Sequence, residues 1–81
     1  MKRLSPAQAR VLRAMAEGQT LKVHRDMDGR KVYRLHTLEG AERTVRRVTV
    51  EALLARGLLD SNQKFPAATF WLTPLGTQAH Q

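Results

Sequence analysis

The spacing of apolar and polar residues changes period several times along the chain. Residues 4–18 (LSPAQARVLRAMAEG) follow a helical period: Val11, Leu12, Met15 and Ala16 fall on one side, and Arg10, Arg13 and Glu17 point outward. Ser5 suits the N-cap, Pro6 the first helical position, and Gln8 completes a capping box three residues after the serine. Leu4 precedes the cap and can staple onto the first turn, and Gly18 marks the stop.

From Thr20 the period falls to two. Leu21 and Val23 alternate with Lys22 and His24, and Tyr33 and Leu35 alternate with Val32 and Arg34. Asp26-Met27-Asp28-Gly29 lies between the two runs, so residues 20–35 predict a β-hairpin. A lone hairpin is marginal in water, so this one must lean on a helix or a third strand.

Residues 36–43 (HTLEGAER) show no period and read as a connector, with room to extend the second strand or to hold a short helical turn. The run TVRRVTVEALLAR is β-branched at its start and helix-forming at its end; a single helix from Thr44 to Arg56, closed by Gly57, is the favoured reading. Its expected inner side is Val45, Val48, Ala52 and Leu53. Arg43, Arg47 and Glu51, four apart, share roughly the opposite side. Leu58-Leu59 leads into a polar, turn-rich segment ending at Pro66. ATFWLT then reads as a strand with Phe70 and Leu72 on one face and Trp71 on the other. Pro74 ends it, and the last residues read as frayed or weakly helical.

With 81 residues the chain holds one domain, residues 1–81, of α+β class, and a core this small leaves much of the surface in water. The charge alters the picture most. Fourteen Lys and Arg against seven Asp and Glu give +7, with an isoelectric point near 11.2, which points to a polyanion, an acidic protein surface or an anionic membrane as partner. No cysteine is present, which excludes disulfide scaffolds, Cys-ligated zinc and thiol nucleophiles. The apolar run VEALLARGLL is interrupted by charge and too short to span a bilayer, and no apolar stretch follows Met1-Lys2-Arg3. A soluble, cytoplasmic chain with no signal peptide is the expectation.

Leu53, Arg56, Gly57, Leu58 and Leu59, followed by Phe70, Leu72, Thr73 and Gly76, resemble the winged-helix pattern of a recognition helix ending L-x-x-R-G-L-L and a wing strand closing Y-x-L-T-x-x-G. The resemblance implies a small winged-helix-like domain in the order helix, β-hairpin, recognition helix, wing. It departs from the common pattern in having a basic hairpin where a second helix usually lies. A second likeness covers residues 4 to 40: Leu4, Ser5, Gln8, Arg10, Leu12, Ala16 and Gly18, then Val23, Arg25, Asp26, Gly29, Arg30, Glu39 and Gly40. It is similar to the small YjhX-type toxins described as topoisomerase I inhibitors, and implies a protein target or a repressor-like role within a toxin module.

Two sets of site residues follow. Arg43, Arg46 and Arg47 at the head of the second helix would meet phosphates or guanine edges of double-stranded DNA, with Asn62, Gln63 and Lys64 at the wing tip; the alternatives are a solvated helix face and an ordinary turn. Trp71, with Arg30, Lys31 and Arg34 of the hairpin, would carry a protein interface, the alternative being internal packing and a charge-protected sheet edge. His24, His36 and His80 have no metal-site spacing, and no carboxylate pair, glycine-rich phosphate loop or Ser/His/Asp set occurs. Neither an enzyme, a cofactor nor a membrane partner is expected. The reading is a small transcriptional regulator binding DNA, with a homodimer as one form it can take; its alternative is an inhibitor or toxin acting on a nucleic-acid enzyme such as topoisomerase I.

Overall fold

A computed structural model describes residues 3–62 and 67–79. The chain runs α1 (Pro6–Ala16), β1 (Thr20–Arg25), β2 (Lys31–His36), β3 (Glu42–Val45), α2 (Arg47–Ala55), β4 (Leu59–Ser61), β5 (Ala67–Leu72) and α3 (Pro74–Ala79). All five strands form one antiparallel sheet in the order β3-β2-β1-β5-β4. The domain is thus α+β, with the helices packed on one face of the sheet and the other face left open.

The start of α1 follows the expected chemistry. The Gln8 amide donates to Ser5 Oγ at 3.1 Å, and the Ser5 amide donates to Gln8 Oε1 at 3.2 Å, so both halves of the capping box are made. Gln8 Oε1 also accepts from Arg56 Nη1 at 3.1 Å, which ties the end of α2 to the start of α1. Ser5→Ala is therefore expected to cost about 1 kcal/mol and lower Tm by roughly 4–8 °C, read by thermal unfolding.

Between β1 and β2, the Asp26 carboxylate accepts the amides of Asp28 and Arg30, each at 2.9 Å, and closes the turn. Leu21, Tyr33 and Leu35 face the core, whose residues of lowest exposure are Leu12, Leu21, Val50 and Leu53. The Tyr33 and Phe70 rings meet at 6.0 Å between centroids. Burial pushes the Tyr33 phenol above its ordinary pKa, with the Glu51 charge adding to the shift and Arg47 opposing it.

Three expectations are corrected. Residues 42–45 form the edge strand β3, so the second helix begins at Arg47 rather than Thr44. The cause is a turn: the Thr37 carbonyl accepts the Gly40 amide, and Thr37 Oγ1 accepts the Ala41 amide at 3.0 Å. This folds the connector back so that Thr44 and Val45 pair with Arg34 and Tyr33. The helical face shifts with the start. Thr49, Val50 and Leu53 are buried, whereas Val48 is 62% exposed. Ala16 is likewise exposed, since Met15 is the last residue of α1 whose side chain reaches the core.

The R-G-L and L-T-x-x-G segments meet in a cross-brace. Gly57 leaves α2 at φ 72°, a conformation glycine adopts without strain. Its carbonyl accepts from Thr73 Oγ1 at 2.7 Å, while Thr73 Oγ1 accepts the Gly76 amide at 3.0 Å. The Thr73 amide donates to the Leu58 carbonyl. These residues hold the C-terminal helix against the α2 exit, which accounts for them structurally.

Candidate nucleic-acid interface

The edge where α1, β3 and the head of α2 meet is open and basic. Arg43 lies on β3 beside Leu35 of β2, and Arg46 occupies the α2 N-cap, where its side chain makes no capping hydrogen bond. Together with Arg10 of α1 they line a cleft of about 180 Å³, whose other walls are Ala7, Val11, Leu35, Thr44, Val45 and Thr49. All three arginines are exposed, and no ion pair or side-chain hydrogen bond is recorded for any of them among the described residues.

Arg47 is different. Its Nε donates to Glu51 Oε1 one helical turn on, an exposed i,i+4 pair that favours the guanidinium charge and places a carboxylate beside it. Two of the three arginines expected at the helix head therefore converge, and the third is paired on the outward face of α2. Arg10 is the cleft arginine that the sequence alone does not single out. Periodicity places it only outward on α1, and the packing of α1 beside β3 and α2 brings it to the cleft.

Asn62 lies at the end of β4. Its amide donates to the Thr69 carbonyl and its Oδ1 accepts the Thr69 amide, both at 3.2 Å, so it extends the β4–β5 ladder. Gln63 and Lys64 lie outside the described residues.

The residues expected at a protein interface are separated by strand alternation. Arg34 and Trp71 share the open face of the sheet with β1 between them, Lys31 belongs to the opposite alternation, and Arg30 precedes β2. Arg34 is engaged, donating to Glu42 Oε2 at 3.0 Å, and Glu42 Oε1 lies 3.5 Å from His36 Nδ1. Trp71 faces away from the buried Phe70 as alternation predicts. It is 45% exposed, opposite Asp60, and lines a shallow groove with Gln19, Thr20 and Thr69.

Among the described residues no group of His, Cys, Asp or Glu is placed to hold a metal ion, and no helix is long and apolar enough to cross a membrane. No family model, curated protein or solved structure matches the chain.

Proposed function

We propose that this chain is a small nucleic-acid-binding regulator that docks on double-stranded DNA through the α1–β3–α2 edge. The observation that carries the reading is the convergence of Arg10, Arg43 and Arg46, exposed and without a side-chain partner among the described residues, on a chain of charge +7. Phosphates are the polyanion such a rim suits, because a guanidinium presents its donors as a planar fork. In this reading α2 takes the part of the recognition helix and β4–β5 that of the wing, as the resemblance to winged-helix proteins implies. Val48, exposed on the outward face of α2, would meet a thymine methyl. A homodimer would supply the second half-site that one small module lacks.

Glu51 gives this reading a sharp test. It is the acidic residue on the outward face of α2, and it holds Arg47. Glu51→Gln removes one repulsive charge and frees one cation, so affinity for a labelled duplex should rise roughly threefold to tenfold at low salt, measured by fluorescence anisotropy. In the same titration log K for the unaltered chain should fall linearly with log salt. A flat salt response, or no gain from Glu51→Gln, overturns the assignment.

The half-exposed Trp71 favours a second reading, in which the open sheet face docks on a nucleic-acid enzyme such as topoisomerase I and inhibits it. Inhibition lost in Trp71→Ala with DNA affinity unchanged would select that reading over the first.

A further inference from the structure

The arginine-rimmed cleft has a floor that phosphate contact leaves unused. Beneath the exposed Arg10, Arg43 and Arg46 lie the buried Val11, Leu35 and Val45, with buried Thr49 also in the lining and the exposed Ala7 at the mouth. A backbone phosphate meets the rim from outside, and a bare inorganic anion gains nothing from an apolar floor. A ligand that uses both must carry an apolar body and a single anionic head.

The volume fixes the size of that body. Apolar cavities of about 150 Å³ hold benzene, and drug-sized ligands occupy clefts of about 300 Å³ or more. At about 180 Å³ the cleft takes one ring or a short acyl chain. Val11, Leu35 and Val45 also belong to the packed core, so the floor is formed before any ligand arrives and little ordering is needed on binding. An arginine fork receives a carboxylate with two parallel hydrogen bonds, which suits the rim to that head group.

We infer that the cleft is a binding site for a small organic carboxylate, with its ring or acyl body on Val11, Leu35 and Val45 and its carboxylate among Arg10, Arg43 and Arg46. The inference goes beyond the DNA reading, and its test uses no nucleic acid, so either can fail without the other.

The probes are benzoate, its neutral analogue benzamide and inorganic phosphate, each titrated into the full chain at low salt by calorimetry and amide NMR. Benzoate is expected to bind at least about tenfold more tightly than either control, since benzamide lacks the charge and phosphate lacks the body. Amide shifts should centre on Ala7, Val11, Val45 and Thr49. Arg43→Gln should weaken benzoate about tenfold through the rim. Ala7→Leu, at an exposed position early in α1, should do the same by filling the mouth with the fold intact. Benzoate binding no tighter than phosphate, or unaffected by Ala7→Leu, would overturn the inference.

Discussion

Replacing Arg10, Arg43 and Arg46 together with glutamine is expected to weaken duplex DNA binding on the order of 100-fold at physiological salt. Each arginine that meets a phosphate contributes close to one unit to the slope of log K against log salt, so the triple variant should lose about 2.7 units of slope. Between about 50 and about 200 mM salt the unaltered chain should then lose roughly 40-fold more affinity than the variant. The fold should not respond. All three side chains are exposed and none has a recorded partner among the described residues, so no hydrogen bond is broken by the change. The control is Arg13, Lys22 and Lys31 changed to glutamine, which removes the same charge from exposed positions outside the cleft. If net charge alone drives binding, the two triple variants behave alike and the assigned edge is wrong. If the edge makes the contacts, the control keeps most of its affinity and nearly all of its salt slope.

Why Arg10 belongs in that set, and why Arg47 does not, shows which parts of this protein were legible in its sequence. Helix α1 and the β1–β2 hairpin rest on local chemistry: a serine and glutamine three apart, and an aspartate whose carboxylate closes its own turn. Such signals lie within a few residues and can be read directly. Trp71 was legible for the same reason, since alternation with Phe70 settles its face. The strand β3 was not. Thr44 and Val45 suit a strand or a helix start, and the choice is made by Tyr33 and Arg34, about ten positions earlier, once the Thr37–Gly40 turn folds the chain back. The glycine in that turn was the available sign. The same long-range step moves Arg43 from a helix head to a sheet edge. The pairing of Arg47 with Glu51 was visible as a spacing of four, yet its consequence, one fewer free cation, needed geometry. Arg10 had no local signal of its place at the cleft, because only tertiary packing sets α1 beside β3.

Gly76→Ala is expected to destabilise the fold by more than about 3 kcal/mol and to lower Tm by at least roughly 12 °C. The sign is the informative part. Gly76 lies inside α3, and replacing a helical glycine by alanine ordinarily stabilises by about 1 kcal/mol. Here the residue is buried, and a Cβ would sit 3.0 Å from the Leu58 carbonyl carbon and inside contact with its oxygen. That carbonyl cannot retreat easily. It accepts the Thr73 amide at 3.1 Å, and Thr73 in turn donates to the Gly57 carbonyl and accepts from Gly76 itself. With the α2 exit and the end of β5 fixed to each other, the added methyl can be accommodated only by lifting α3 away from α1 and the core, where Ala79 is packed. The overpacking term therefore exceeds the propensity gain. A rise in Tm on thermal unfolding would show instead that α3 is held loosely and that the close approach at Gly76 is not what the L-T-x-x-G segment preserves.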